Sequence, residues 1–298
     1  MDESLRRAVE RVIADATGEP AKIRGGHGMG GGCINSATVI TLEDGRRLFL
    51  KSNPSPLPGM FEREAEGLQA LADVGVIRVP RPLGTGGDAD GTVPFIVMEH
   101  IETGHSGRDF QRRFGRQFAT LHQATQGDRF GFDHDNWIGS TPQPNGWCDD
   151  WVTFWREHRL GFQLDLARRQ GLSDRTMDQL GERMMDRLDE LIGEPAEPAC
   201  LLHGDLWGGN YLADAEGEPV LIDPAVYRGR READLAMTML FGGFDHTFYE
   251  AYSEVWPLAG GSRDRLEIYK LYHLLNHLNL FGSGYRGGCL NILRRFGG

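Results

Sequence analysis

The sequence predicts an α+β chain of two lobes, a small β-rich amino-terminal lobe and a larger, mainly helical one. Three observations carry this reading. Short β-favouring runs crowd into the first third of the chain. Helical periodicity dominates after Ile101. Between them, Glu102-Thr103-Gly104-His105-Ser106-Gly107 has the composition of a linker. The boundary is expected near 99–105, giving lobes 1–101 and 102–298. With 298 residues, 40% of them hydrophobic, the chain can bury one large core or two moderate ones.

The elements follow in order. Leu5, Val9, Val12 and Ile13 recur near helical spacing, so 3–16 reads as an amphipathic helix ended by Gly18 and Pro20. The glycine-rich stretch after Arg24 reads as a loop. Ala37–Leu42 and Arg47–Ser52 flank Glu43-Asp44-Gly45, and Asp-Gly between such runs signals a hairpin. Pro54, Pro56, Pro58 and Gly59 make a stiff loop. Phe61–Val74 places Phe61, Ala65, Leu68 and Leu71 on one helix face. Pro80 and Pro82 bracket an extended stretch, 84–91 reads as a turn-rich tip, and Phe95–Met98 is an apolar strand. Beyond the linker, 108–124, 149–170, 174–192 and 264–281 carry helical periodicity. Cys200–Leu202, Asn210–Leu212 and Val220–Ile222 read as short strands.

Composition narrows the function. The net charge of −11 argues against a general nucleic-acid coat or an anionic-membrane binder. An anionic ligand would need a dedicated local site. The amino-terminal stretch is charged, and no window approaches 18 uninterrupted apolar residues. Cys33, Cys148, Cys200 and Cys289 form no CxxC pair, so the expectation is a cytoplasmic protein without a disulfide framework.

The segment His203-Gly204-Asp205-Leu206-Trp207-Gly208-Gly209-Asn210 follows an apolar run and leaves the packed interior as a loop. A second apolar run ends at Asp223, in Leu221-Ile222-Asp223-Pro224. Asp205, Asn210 and Asp223 form a hard-oxygen set suited to Mg²⁺. The five-residue spacing of Asp205 and Asn210 matches catalytic loops of phosphoryl-transfer enzymes, where the Asp accepts a hydroxyl proton and the Asn holds metal. An Asx-capped surface turn is the alternative for either residue alone.

A second constellation begins at Gly25-Gly26-His27-Gly28 and runs through Met29, Gly30, Gly31, Gly32, Cys33 and Ile34 to Asn35. Six glycines in positions 25–32 let backbone N–H groups approach an anion. The segment lacks the Walker pattern and precedes a hairpin, which disfavours a dinucleotide fold. A flexible linker explains the glycines equally well. Lys51, one of few lysines, lies on the following strand and could reach phosphate oxygens. Glu64 is its proposed counter-charge. Glu62 and Glu66 compete for that role but lie about 200° round the helix. A strand-edge lysine and a solvated glutamate are the plain alternatives. Phe95-Ile96-Val97-Met98-Glu99-His100-Ile101 runs into the linker, where backbone at Glu99 and Ile101 could pair with an adenine edge.

In this order, the glycine loop, strand Lys, helix Glu, linker, HGDxxxxN and strand Asp resemble a protein-kinase-like fold. HRD is replaced by His203-Gly204-Asp205, DFG by Ile222-Asp223-Pro224, and no APE segment is found. These departures match the branch that includes aminoglycoside and choline kinases. Within it the chain resembles the fructosamine kinase (ketosamine-3-kinase) family. The resemblance rests on GGGCIN at 30–35, FLKSN at 49–53, VMEHI at 97–101, NWIGSTPQPN at 136–145, LLHGDLWGGN at 201–210 and IDPAVYRGRREADLAM at 222–237.

The resemblance implies ATP-dependent phosphorylation of the 3-hydroxyl of a ketosamine, free or on a protein lysine, which promotes deglycation. It implies ATP and Mg²⁺ as cofactors. Asp205 would be the base, Asn210 and Asp223 the metal ligands, and Lys51, oriented by Glu64, the holder of the phosphates. The 28–35 loop would cover the phosphates, with Glu99 and Ile101 framing adenine. Trp207 would stack on the sugar, or else pack as a core tryptophan. Cys33 would link two chains into a redox-dependent homodimer, the alternative being a small, partly buried thiol. Two other readings stay open: a kinase of another small alcohol, such as an aminoglycoside, choline or homoserine, and a nucleotide-binding pseudokinase.

Overall fold

The computed structural model describes residues 1–29, 35–54 and 57–298. It divides into two compact units, Met1–Gly107 with Leu212–Asp223, and Arg108–Tyr211 with Pro224–Gly298. A single cut after Ile101 differs from this division at 102–107 and 212–223. A linear reading cannot return a later hairpin to an earlier unit.

The first unit opens with α1 (Glu3–Thr17). The Asp2 carboxylate accepts from the Leu5 N–H at 2.8 Å, and Gly18 closes the helix with φ +73°. Five strands follow: β1 (Ile23–Met29), β2 (Ser36–Leu42), β3 (Arg47–Ser52), β4 (Pro82–Gly87) and β5 (Pro94–Glu99). Helix α2 (Met60–Val74) lies between β3 and β4 in the chain. The sheet order is β1-β2-β3-β5-β4, and every neighbouring pair is antiparallel. Gly45 takes φ +91° in the β2–β3 turn, the conformation the Asp-Gly pair suits. Leu5, Val9 and Ile13 of α1 pack with Ile40, Leu50 and Val97 of the sheet in one buried core.

Two parts of this sheet differ from the sequence reading. Strand β1 occupies residues expected to be loop, including Gly28, and pairs with β2 from Ile23 to Met29. Its glycines carry no strand propensity, so edge pairing with β2 decides the conformation. Strand β4 likewise occupies half of the expected tip. A Cβ at Gly84 would fall 2.8 Å from Val12 Cγ1, and one at Gly86 would fall 2.8 Å from Phe95 Cζ. These glycines mark close packing rather than a turn. The turn is confined to 88–91, where the Gly91 N–H donates to the Asp88 carbonyl at 3.0 Å.

The second unit is mainly helical. It begins with α3 (Phe110–Ala124), then the short hairpin β6 (Asn136–Ile138) and β7 (Thr141–Gln143). A continuous helical stretch follows as α4 (Trp151–Phe154), a π-helical segment (Trp155–Gly161) and α5 (Phe162–Arg169). Next come α6 (Arg175–Asp186), α7 (Leu188–Ile192) and strand β8 (Cys200–Leu202). The hairpin β9 (Tyr211–Ala213) and β10 (Pro219–Leu221) falls almost wholly in the first unit. The chain ends with β11 (Tyr227–Gly229), α8 (Glu232–Thr238), α9 (His246–Val255), α10 (Ser262–Phe281) and α11 (Arg286–Gly297). Helices α3 and α9 cross closely, since a Cβ at Gly115 would lie 2.2 Å from the Phe248 carbonyl oxygen.

The sequence reading did not anticipate α8, α9 and α11, nor β6, β7 and β11. Every residue of α8 is buried, so it shows no amphipathic alternation. Strands β6, β7 and β11 each include polar residues, unlike the apolar run that marks β8. Among the described residues, no helix is long and apolar enough to cross a membrane.

Candidate active site

The first unit carries the candidate residues around Lys51. Alternation along β3 turns Leu48 and Leu50 toward α1 and leaves Lys51 on the other face. On α2, Glu64 stands in line with buried Phe61, Leu68 and Leu71, so its carboxylate faces inward with the apolar stripe. Lys51 Nζ lies 2.6 Å from Glu64 Oε1, with both side chains about nine-tenths buried. Of the competing glutamates, Glu66 instead accepts from Arg63 on its own helix.

Lys51 also pairs with Asp223, whose side chain is 46% exposed. Burial works against the Lys51 charge, but the Glu64 and Asp223 carboxylates outweigh it and push the lysine pKa up. Burial pushes the Glu64 carboxyl up; Lys51 opposes this and Asp223 adds to it. Asp223 takes φ +54° just after β10, a left-handed conformation that Asp tolerates better than most residues. This turn ends the strand and releases the carboxylate toward Lys51.

Arg78, which sequence reasoning missed, fastens the Asp223 hairpin. It donates to Glu99 at 2.5 Å and to Asp214 at 2.9 Å, and its carbonyl accepts from the Leu221 N–H at 2.9 Å. The Glu99 N–H donates to the Arg81 carbonyl at 2.8 Å and so is not available to a ligand. Ile101 is 7% exposed, just past β5. Asn35 Oδ1 accepts from Asn53 at 3.0 Å, tying the exit of the glycine segment to the end of β3. Gly28 lies on β1, opposite Thr38. Gly30, Gly31, Gly32 and Cys33 lie outside the described residues, and with them the phosphate-covering backbone and the redox dimer.

The second unit builds the loop after β8. Gly204 takes φ +82°, and a Cβ there would fall 2.0 Å from the Ala225 carbonyl oxygen. Only glycine fits. The buried Asp234 carboxylate accepts from the His203 N–H at 2.7 Å and the Gly204 N–H at 2.8 Å. It also faces His122 Nε2 at 3.3 Å, while His122 Nδ1 meets the Tyr252 hydroxyl at 2.8 Å. Burial opposes the Asp234 charge, yet His122 and the loop N–H groups hold its pKa down. Asp234 thus anchors the loop from below. Asn210 Nδ2 donates to the Asp205 carbonyl at 2.7 Å and to Asp205 Oδ2 at 3.1 Å. The five-residue spacing therefore closes a loop that orients Asp205.

The amides of NWIGSTPQPN form a buried brace behind this loop. Asn136 donates to the Val226 carbonyl at 2.8 Å, and Gln143 donates to the Ala225 carbonyl at 3.0 Å. The Tyr272 hydroxyl donates to Gln143 at 2.7 Å. The Ala225 N–H in turn donates to the His203 carbonyl at 2.8 Å. Trp207 is 39% exposed and is not a core tryptophan.

Gly204→Ala is expected to destabilise the fold by about 2–3 kcal/mol, combining positive-φ strain with backbone overlap. Urea unfolding checks this; an unchanged midpoint would contradict the close approach to Ala225.

The donor chemistry fits a hard cation. Asn210 offers an amide oxygen and Asp223 a partly exposed carboxylate. Among the described residues, no cluster of three or more His, Cys, Asp or Glu side chains gathers as a metal cage. Mg²⁺ bound with nucleotide phosphates needs only one or two protein carboxylates, so the sparse set is compatible.

The chain as a whole is similar to several known proteins. A protein-ribulosamine 3-kinase of Oryza sativa subsp. indica is 46% identical over 277 residues, spanning 93% of this chain and 80% of the rice protein. A ketosamine-3-kinase of Mus musculus is 35% identical, spanning 99% of both chains. A solved structure from Haemophilus somnus, provisionally described as a fructosamine-3-kinase, matches with a TM-score of 0.89 at 27% identity. That match covers 99% of this chain and 98% of the other. An aminoglycoside phosphotransferase matches at a TM-score of 0.62 and 17% identity, covering 96% of this chain and 98% of the other. That second structure shows the protein-kinase-like fold alone. The sequence model of the family described as fructosamine kinase matches residues 5–296, and this chain belongs to that family.

Proposed function

We propose that this protein transfers the γ-phosphoryl group of Mg·ATP to the 3-hydroxyl of a ketosamine, free or borne on a protein lysine. The observation that carries the reaction class is Lys51, held charged by buried Glu64 on one face of the sheet. The acceptor class is supported by relatives named for ribulosamine and ketosamine phosphorylation.

Asp205 accepts the proton of the attacking hydroxyl, whose oxygen bonds to the γ-phosphorus as ADP departs. Asn210, by donating to Asp205, fixes the direction of that carboxylate. Lys51 holds phosphate oxygens, and Glu64 keeps the lysine oriented. Asn210 and Asp223 are the residues that would hold Mg²⁺, which when bound neutralises charge on the nucleotide phosphates. Asp223 exchanges its Lys51 contact for that role. The backbone at Glu99 and Ile101 frames adenine through groups other than the Glu99 N–H. Trp207 stacks on the sugar. The 3-phosphate then promotes loss of the adduct, so the activity serves deglycation. A reducing cytoplasm suits the free thiols of Cys148, Cys200 and Cys289.

An ADP-release assay with ribulosyl-lysine, fructosyl-lysine and an aminoglycoside tests the proposal. Turnover on ketosamines alone is expected. Turnover on the aminoglycoside alone would keep the fold and overturn the acceptor, and nucleotide binding without any turnover would favour a pseudokinase.

Arg78→Gln is expected to raise KM for ATP about fivefold, with a smaller effect on kcat. It removes the link between Glu99 and the Asp223 hairpin, worth about 1 kcal/mol for a partly exposed pair. An unchanged KM would show that the hairpin is positioned by other contacts.

A further inference from the structure

Large apolar side chains at the surface are few among the described residues, and several stand together in the second unit. Trp207, Met239, Phe241 and Phe281 are each more than a third exposed. Phe241 meets the Trp207 ring edge-on at 6.3 Å and lies 4.4 Å from the His277 ring. Phe281 and Tyr285 stand 5.4 and 5.1 Å from His277, completing the group.

The group is fastened to the loop that carries Asp205. A Cβ at Gly243 would lie 2.4 Å from Gly208 Cα, so the segment after Phe241 packs directly on the catalytic loop. The Tyr211 hydroxyl donates to the Gly243 carbonyl at 2.5 Å. A Cβ at Gly209 would fall 2.4 Å from the Trp207 ring, so the indole lies across the loop. The rings therefore keep a fixed relation to a loop whose Asp205 precedes Trp207 by two residues.

Among the described residues, the faces of these rings are not taken by an arginine, as those of several other aromatics are. Arginine guanidinium groups lie over Trp147, Phe154, Tyr227, Tyr252 and Trp256, among others. Among the described residues, no such contact covers Phe241, His277, Phe281 or Tyr285. His277 Nδ1 contacts the His273 carbonyl at 2.8 Å and, because a carbonyl only accepts, it is the donor. Burial holds the His277 pKa down, so the imidazole adds no positive charge of its own.

We propose that Phe241, Phe281 and Tyr285, gathered around His277, form a subsite for the amine end of the acceptor and take its secondary ammonium by cation–π attraction. This rests on the ketosamine-kinase reading. A ketosamine nitrogen is an alkylamine that carries a proton at neutral pH and continues into an apolar stem. Charge and stem together suit exposed aromatic faces. A deep cavity would exclude an adduct borne on a protein, whereas an exposed platform admits a glycated lysine from a large carrier.

The test compares two acceptors with the same sugar, ribulosyl-lysine and a 1-O-alkyl ribulose ether that lacks the ammonium. Phe241→Leu and Tyr285→Leu are measured beside the wild type, with urea unfolding to confirm that each folds. Each substitution is expected to lower kcat/KM for the amine about tenfold, mainly through KM. The loss on the ether should be at least about fivefold smaller. Equal losses on both acceptors, or a wild type that does not distinguish amine from ether, would overturn the ammonium subsite while leaving the kinase reading intact. A wild type that phosphorylates neither acceptor would overturn the kinase reading, and the subsite with it.

Discussion

Asp205→Asn is expected to lower kcat by about 10²–10⁴-fold and to leave nucleotide affinity within about threefold. The amide is chosen over alanine because of what surrounds the carboxylate. Asn210 donates to Asp205 Oδ2 at 3.1 Å, and the amide oxygen of an asparagine can still accept that bond. The loop therefore keeps its closure and its anchor on Asp234, 2.7 Å from the His203 N–H. What the substitution would remove is the proposed capacity to take a proton from the acceptor hydroxyl. Rate measurements under saturating Mg·ATP, beside nucleotide titration, separate the two effects. A variant within about fivefold of the wild type would remove Asp205 from the base role. A variant that no longer binds nucleotide would assign it to nucleotide binding instead.

Lys51→Met is expected to have the second large effect, on both stability and chemistry. Glu64 is buried beside Lys51 at 2.6 Å, so removing the lysine strands a carboxylate with Asp223 as its remaining charged neighbour. Breaking a buried pair from one side costs about 3–5 kcal/mol. Adding Glu64→Gln removes the stranded charge and should recover about half of that loss, giving a coupling energy well above experimental error. Activity should not recover with it. Without Lys51 the phosphates lose their charged donor, and a loss of about 10²–10³-fold in kcat is expected for both the single and double variants. Urea unfolding and steady-state rates on the same preparations distinguish the two roles. Full recovery of activity in the double variant would make Lys51 a purely structural ion.

These expectations rest on features legible to different degrees in the sequence. Glu64 could be singled out because it shares the α2 stripe with Phe61 and Leu68, while Glu62 and Glu66 do not. The Asp205–Asn210 loop was legible from spacing, because a five-residue interval in a glycine-rich loop lets the side chain reach back. Strands β1 and β4 were not, because their glycines signal loop locally and serve close packing globally. Gly84 against Val12 is the clearest case, since any Cβ on that glycine would stand 2.8 Å from Val12 Cγ1. Arg78 was invisible because its partners, Glu99 and Asp214, lie far along the chain, at separations of 21 and 136 residues. Helix α8 was hidden by complete burial, although its Asp234 anchors the whole loop.

The polar brace behind the catalytic loop shows the same limit. Asn136 and Gln143 belong to a segment that the sequence marks only by its family resemblance, and they are 7% and 0% exposed. Their partners are backbone carbonyls of Val226 and Ala225, which no side-chain pattern reports. The fold pays for burying these amides by satisfying them with the segment that follows Asp223, so packing and site geometry are set together.

Phosphoryl transfer to the ketosamine 3-hydroxyl would leave a product that can be identified. The most direct measurement is to isolate the product formed from ribulosyl-lysine and Mg·ATP and locate its phosphate by phosphorus–proton coupling. One phosphate is expected on O3, formed in equal amount to ADP and absent with Asp205→Asn. Phosphate on another oxygen, or ADP formed without a phosphorylated sugar, would contradict it.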